Sequence, residues 1–294
     1  MKMQYKRIIS IALALAVGAM PMLLVSCGQT GDGNESSGDP QTTEEPNTTA
    51  EPETEPVTTE PPEKTLTLRV GTYNIKHGAD AGGDLTLIGN VIKEAGLDIC
   101  GLQEVDFKTR RVGGVDQPAL LAKAAGMEYY KYTPAIDYQG GKYGTLILSR
   151  YPIEEFEYTT LYSGEKEGRA IGHAKINVDG CIIDFFNTHL SYEEKALRSV
   201  QFRAVRKMLE ECEHYILTAD FNTQDFQEFS ALKYGSLVNS AEHRYVTFPK
   251  RQSAIDNIVL SSGFSIGLTD TVANSHSDHR MLWSELTLTY IPQN

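Results

Sequence analysis

The sequence predicts a mixed α/β or α+β body of layered sheets with helices outside, and three observations carry that prediction. Apolar runs of strand length outnumber the stretches with helical periodicity. Helices separate some of these runs but not all, which requires a sheet system of mixed strand direction. The chain has 294 residues, 40% of them hydrophobic, enough for one sizeable core, and no repeat of fixed period divides it.

The body opens at Thr65 with an alternating, then apolar run that ends on Asn74 and Ile75, a first strand. Asp84 caps a helix to about Ala95, with Leu85, Ile88, Val91 and Ile92 on one face and Gly96 as its stop. Asp98 to Val105 is a second strand that carries Glu104 near its end. Asp116 caps a short helix to about Ala125, with Pro118 in its first turn and Gly126 after it. Strands follow at 129–133, 143–149, 169–177 and 181–190, the last ending on Asn187 and His189. A long helix from about Tyr192 to Cys212 presents Leu197, Val200, Ala204, Val205, Met208 and Leu209 as its apolar stripe. The run from His214 to Ala219 then delivers Asp220 and Asn222 to a sheet edge, and a short helix is expected near Phe226–Leu232. A strand around Asp256 and a final alternating strand from Trp283 to Tyr290 bracket Ser277-Asp278-His279.

Two appendages precede the body. Residues 1–27 have a basic start (Lys2, Lys6, Arg7), an apolar run broken by Gly18 and Pro21, and Leu24-Val25-Ser26-Cys27 at the end. This describes an export signal rather than a spanning helix. The last four residues resemble a bacterial lipobox, which implies lipidation at Cys27 and a mature protein on the extracytoplasmic face of the membrane. Residues 28–64 are rich in Pro, Glu and Thr and without aromatic side chains, so a disordered acidic stalk is expected, with the folded domain at 65–294.

The formal net charge of −12 is unevenly spread, because the stalk holds ten of the 39 acids and only Lys64 among the bases. The body, 65–294, therefore carries 29 acids and 23 bases. A mildly acidic body is a poor non-specific binder of nucleic acid, so no stable nucleic-acid complex is expected, although cleavage is not excluded. Cys100, Cys181 and Cys212 are widely spaced with no C-x-x-C pattern, so their spacing suggests neither a disulfide framework nor a zinc site. Cys100 and Cys181 lie in apolar runs and are read as small core residues.

Polar groups recur where apolar strands end: Asn74, Glu104, Asn187 with His189, Asp220 with Asn222, Asp256, and Asp278-His279 before the last strand. Asp256 stands out, since a carboxylate inside Ala-Ile-Asp-Asn-Ile-Val-Leu is expensive unless it is partnered. The chemistry that uses such a set is metal-assisted hydrolysis of a phosphate ester. A hard cation such as Mg²⁺ takes few carboxylate ligands and suits Glu104 with Asn74 beside it. Protonated histidines would neutralise phosphate charge, a carboxylate would position or deprotonate water, and Asp256 would orient His279. A zinc site made of His276, Asp278 and His279 is disfavoured because residues so adjacent cannot surround one ion unaided.

Thr72-Tyr-Asn74-Ile, Leu102-Gln-Glu104, Asn187-Thr-His189-Leu, Ala219-Asp220-Phe-Asn222, Ile255-Asp256-Asn and Ser277-Asp278-His279 together resemble the ordered motif series of the endonuclease/exonuclease/phosphatase superfamily, with its deoxyribonuclease I-like fold. The resemblance covers about residues 66–290 and implies a four-layered sandwich of two packed β-sheets flanked by helices. It implies Mg²⁺-dependent hydrolysis of a phosphodiester or phosphomonoester, with Mn²⁺ or Ca²⁺ as alternative ions. It places Glu104, Asn74 and Asp278 at the metal, and His189, Asp220, Asn222, Asp256 and His279 in catalysis. Asn222 would also hold the phosphate, and Asn187 would support His189 and the substrate. Two positions depart from the series, Ala219 where Gly is usual and Asn257 where an aromatic is common, and neither removes a functional group.

The substrate is read from residues between the motifs. Arg111 and Lys142 are placed to grip phosphate, and the tyrosines from Tyr129 to Tyr143 to line a head-group or base pocket. The Arg110-Arg111 stretch and Gly140-Gly-Lys-Tyr-Gly resemble the phospholipid head-group side of the family. The expectation is a monomeric, lipid-anchored phosphoesterase; a secreted DNA or RNA nuclease is the alternative. A catalytically dead binding module would have lost a motif residue, and none is lost.

Overall fold

The computed structural model describes residues 62–232 and 235–292; the export signal with Cys27 and all but the end of the stalk lie outside the described residues. Among them, twelve strands form two six-stranded sheets. The chain begins the first sheet with β1 (Lys64–Asn74), β2 (Ile99–Phe107), β3 (Tyr129–Tyr138) and β4 (Gly141–Ser149). It then builds the second sheet with β5 (Ile153–Leu161), β6 (Arg169–Val178), β7 (Cys181–His189), β8 (Tyr215–Asp220), β9 (Ser236–Leu237) and β10 (Asp256–Leu260). It returns to the first sheet with β11 (Phe264–Val272) and β12 (Met281–Tyr290). The first sheet has the order β11-β12-β1-β2-β4-β3 and the second β5-β6-β7-β8-β10-β9.

The two sheets share a plan. In each, one parallel pair, β1 with β2 or β7 with β8, is flanked by antiparallel neighbours. A parallel pair needs a crossover, and the helices expected from the sequence supply it: α1 (Leu85–Glu94) joins β1 to β2 and α3 (Lys195–Leu209) joins β7 to β8. Asp84 and Asp116 cap α1 and α2 (Gln117–Ala125) by accepting from the backbone N–H of Thr86 and Ala119.

Leu68, Val70, Ile99 and Ile147 of the first sheet meet Ile176, Ile183, Phe185 and Ile258 of the second in one buried core. The helices α1 and α2 cover the outer face of the first sheet around Leu102, Leu121 and Leu148. The helix α3 covers the second around Phe186, Phe202 and Phe221. This is the expected four-layered sandwich.

Three differences from the sequence reading have physical reasons. The strand β5 is an edge strand with exposed polar residues, β11 is an edge strand broken by a bulge between Ile266 and Thr269, and β9 has two residues, so none shows a clear apolar run. The buried stripe of α3 is Arg198, Gln201, Phe202, Val205 and Leu209, turned from the one expected. Two polar residues enter it because each finds partners: Arg198 pairs with Glu228 at 3.0 Å and Gln201 donates to Ser191 Oγ at 2.8 Å. The helix near Phe226 is shorter, a 3₁₀ turn over Glu228–Leu232.

The sheets approach closely at Gly101, where an added Cβ would collide with Thr218 and Asn187 across the interface. Asn187 is fully buried there and joins the two sheets. Its Nδ2 donates to Leu102 O (2.9 Å) and Leu146 O (3.0 Å), and its Oδ1 accepts from Gln103 Nε2 (2.8 Å) and Thr218 Oγ1 (3.2 Å). Asn187 is therefore a structural tie and not the substrate contact expected from the sequence. Replacing it should orphan buried groups that each cost on the order of 1–3 kcal/mol. Asn187→Ala is expected to lower stability by about 3 kcal/mol in urea unfolding; a loss under about 1 kcal/mol would place the sheet coupling elsewhere.

Candidate active site

The polar groups collect at one edge because the parallel pairs end there and β10 begins there. Asn74 closes β1 beside Gln103, His189 closes β7 opposite Asp220, and Asp220 closes β8 opposite Asp256. Ligands of α/β sheets bind outside such carboxyl ends. Glu104 reaches the same edge through a bulge, since the register of β2 against β4 shifts between Leu102 and Val105 and Glu104 has φ +58°. Asn222, just beyond β8, has φ +53°. Such left-handed backbone at non-glycine residues is a strain that surrounding structure must hold.

Asn74 links the sheets at this edge. Its Nδ2 donates to Glu104 Oε1 and to Asp220 Oδ2, both at 3.0 Å, while its Oδ1 accepts from the Lys76 backbone N–H at 3.1 Å. His279 Nδ1 lies 2.9 Å from Asp256 Oδ2, and its Nε2 lies 3.8 Å from Asp220 Oδ2. His189 Nε2 is 3.6 Å from that same oxygen. Asp278 pairs with Lys76 Nζ at 3.2 Å. The cluster opens into a cavity of about 490 Å³, whose wall also includes Arg111, Tyr143, Arg169 and Phe248.

The two histidines differ in charge. Burial disfavours the imidazolium of His279, but Asp256, Asp220 and Asp278 outweigh it and raise its pKa to about 10. His189 is pushed well below its ordinary value, by burial first and then by Arg169 and His279. Hydrogen bonding agrees: Asn222 Nδ2, which can only donate, lies 2.9 Å from His189 Nε2, so that nitrogen is a lone-pair acceptor. The expected pair of protonated histidines is therefore one imidazolium, His279, and one neutral ring, His189. Burial, with Asp256 beside it, holds the Asp220 carboxyl above the usual range, and burial raises Glu104 likewise.

The structure brings together Asn74, Glu104, His189, Asp220, Asn222, Asp256, Asp278 and His279. Four predicted residues, two of them outside this group, serve differently from their expected roles. Asn187 lies between the sheets. Lys142 is absent from the cavity wall and pairs at the surface with Asp137 at 2.6 Å. Asn222 lines the cavity, but its Nδ2 also donates to Leu190 O at 2.9 Å, so both amide protons hold the framework rather than a phosphate. Asn74 bridges carboxylates instead of turning a free oxygen to a cation. Arg111 does reach the wall, with its Nε and one Nη on Asp106 at 2.6 and 2.8 Å and its plane over Tyr138 and Tyr143.

Sequence reading missed Arg169, buried in the cavity wall, paired through Nη1 with Glu167 at 2.8 Å and with an unpartnered Nε. The available signal was an arginine at the head of the apolar run Ala170-Ile171. Lys76 and Phe248, also in the wall, carried no such signal.

A profile of the endonuclease/exonuclease/phosphatase family matches residues 71–279. The chain belongs to this family. Members of the endonuclease/exonuclease/phosphatase family are hydrolytic phosphoesterases and generally depend on divalent metal. A family protein from Beutenbergia cavernae superposes with a TM-score of 0.65 at 22% identity, over 76% of this chain and 72% of that one. A mannosyl-6-phosphatase from Bacteroides thetaiotaomicron gives 0.58 at 22% identity, over 74% and 99%. D. rerio TDP2, complexed with a single-stranded DNA product, gives 0.60 at 18% identity, over 75% and 98%. At these identities the likeness is one of fold. Schizosaccharomyces pombe protein cwh43 is 29% identical over 154 residues, which span 51% of this chain but 15% of that relative.

The residues fit the divalent cation that this family generally uses. Asp220 and Asp256 bring carboxylate oxygens within 4.8 Å of each other beside the protonated His279, and buried Asp256 Oδ1 has no hydrogen-bond partner. Glu104 and Asp278 add carboxylates in the same wall. A hard cation would offset this concentration of negative charge.

The His279 proton makes a pH signature. Its pKa rises from 6.5 to about 10 on folding, so its stabilisation is complete below pH 6.5 and lost as pH rises through 10. In EDTA, the melting temperature of the wild type should fall toward that of His279→Gln across this window. Parallel curves would show that the charge is not on His279.

Proposed function

We propose that this protein is a divalent-metal-dependent hydrolase of a small phosphate ester, a phosphodiester or phosphomonoester with a polar head group. The observation that carries the reading is the placement of buried Asp220 between an imidazolium and a neutral imidazole, in the wall of a cavity of about 490 Å³ that arginine and tyrosine also line. Asp220, with two oxygens and no fixed proton when ionised, positions the attacking water and accepts its proton as the oxygen bonds to phosphorus. The bond from phosphorus to the leaving oxygen then breaks. His279, kept protonated and aimed by Asp256, faces the charge that builds on the phosphoryl oxygens. His189, whose Nε2 accepts from Asn222, stays neutral beside Asp220 and keeps its one ring proton on Nδ1. Glu104, with Asp278 and Asp220 near it, would hold the cation, which when bound neutralises phosphoryl charge. Arg169 and Arg111 bind the remaining anionic oxygens, with Tyr143 against the head group.

The net acidity of the body and the size of the cavity favour a small ester over a polymer. Leu24-Val25-Ser26-Cys27 supports lipid anchoring outside the cytoplasmic membrane, with residues 28–64 as the tether, which would keep the site close to phospholipid head groups.

With Mg²⁺ and bis-nitrophenyl phosphate, Asp220→Ala and His279→Ala should each lower kcat by at least about 100-fold while circular dichroism stays that of the wild type. Wild-type turnover in both variants would refute the assignment. Glu104→Gln should raise the Mg²⁺ concentration needed for half-maximal rate, and an unchanged requirement would move the cation elsewhere. In a panel of sphingomyelin, inositol phosphates, sugar phosphates, DNA and RNA, the small head-group esters should be turned over fastest; preference for DNA or RNA would favour the nuclease reading instead.

A further inference from the structure

Outside this cavity, a second set of metal-ligating side chains meets on the opposite face of the second sheet. His173 in β6, Asp184 in β7 and Cys212 just past α3 place an imidazole nitrogen, a carboxylate oxygen and a thiol sulfur within 4.8 Å of one another. Asp184 lies five residues before His189 on one strand, so the two face opposite sides of the sheet, roughly 16 Å apart along it. We propose that His173, Asp184 and Cys212 form a binding site for a single thiophilic divalent cation, Zn²⁺ in the first instance, separate from the hydrolytic centre.

The donor set selects the ion. One nitrogen, one sulfur and one oxygen suit a borderline-soft ion, whereas Mg²⁺ takes oxygen ligands and leaves thiolate alone. The ligands are also oriented before any ion binds. The His173 ring stacks on Phe186, with centroids 4.1 Å apart and planes at 10°, which fixes its plane. Its Nε2–H donates to Asp184 Oδ1, 2.7 Å away, while Nδ1 faces Glu157 Oε1 at 3.4 Å. An ion entering between Nε2 and Asp184 takes the place of that proton, and the ring proton then sits on Nδ1 toward Glu157, the carboxylate support usual for a metal-bound histidine. The neighbouring cation Lys175 is engaged by Glu155 at 2.8 Å. All three ligands are partly buried beside a groove of about 610 Å³, which gives an ion a path in and leaves room for a water as fourth ligand.

Binding replaces the Cys212 S–H bond with a metal–sulfur bond and releases that proton to solvent; the thiol is otherwise kept protonated, chiefly by burial and then by the charge of Asp184. The bound ion would fasten the end of α3 to β6 and β7. The wide spacing of the cysteines concealed this arrangement, because its other ligands are a histidine and an aspartate from different strands.

Co²⁺ separates this site from the active site, where no cysteine lines the wall. Titrating the full chain with Co²⁺ should produce a thiolate-to-cobalt charge-transfer band that saturates at one equivalent and is abolished by Zn²⁺. Cys212→Ser should remove the band and leave Mg²⁺-dependent hydrolysis of the chromogenic ester unchanged. Asp184→Asn, close in shape, should weaken Co²⁺ binding roughly tenfold or more. Absence of a thiolate band in the wild type, or a band that survives Cys212→Ser, would overturn the proposal.

Discussion

The amide of Asn74 donates to two carboxylates that come from different sheets, and the geometry of the active site depends on that bridge. Glu104 belongs to the first sheet and Asp220 to the second, so their separation is set by how the sheets stack. Deeper in, Asn187 of β7 ties the second sheet to β2 and β4 through Leu102 and Leu146, and Gly101 lets the backbones approach. The sandwich is thus pinned by polar groups at two depths within an otherwise apolar interface. A buried amide is suited to this because it can donate twice and accept twice, and unmet groups there would be costly.

Around the bridge, burial and charge divide the labour between chemically similar groups. The two histidines stand on either side of Asp220, yet Asp256 backs one and an amide proton faces the other. One ring is therefore a cation and the other a neutral acceptor. The same environment raises the carboxyl groups of Asp220 and Glu104, which concentrates unfavourable charge where this family generally uses a divalent metal. Backbone strain at Glu104 and Asn222 belongs to the same design, since both positions turn a side chain off a strand end and into the cavity.

The outer face of the second sheet applies related physics to softer ligands. Its histidine is locked by stacking and backed by a carboxylate, as His279 is by Asp256, but its third partner is a thiol. The second sheet thus contributes to two groups of potential metal ligands, on opposite faces and with different ligand hardness.

Most of the polar groups that meet at the cavity could be read from the chain because they end apolar strands, where a buried polar side chain must find a partner. Asp256 was the clearest case, and the Asp84 and Asp116 caps and the helices that turn out to make the parallel crossovers followed from local pattern. The edge strand β5 escaped because its exposed face carries no apolar signal, and α3 was misaligned because buried Arg198 and Gln201 look like solvent residues until Glu228 and Ser191 are seen beside them. What the sequence determined alone was the inventory: layered strands and helices, and polar groups delivered to strand ends. What only tertiary structure decided was partnership, namely that Asn187 bonds between sheets, that Lys142 faces away, that His189 is neutral, and that Cys212 meets His173 and Asp184. Partnership depends on through-space distances of about 3 Å between residues far apart in the chain, and local patterning carries no information on those.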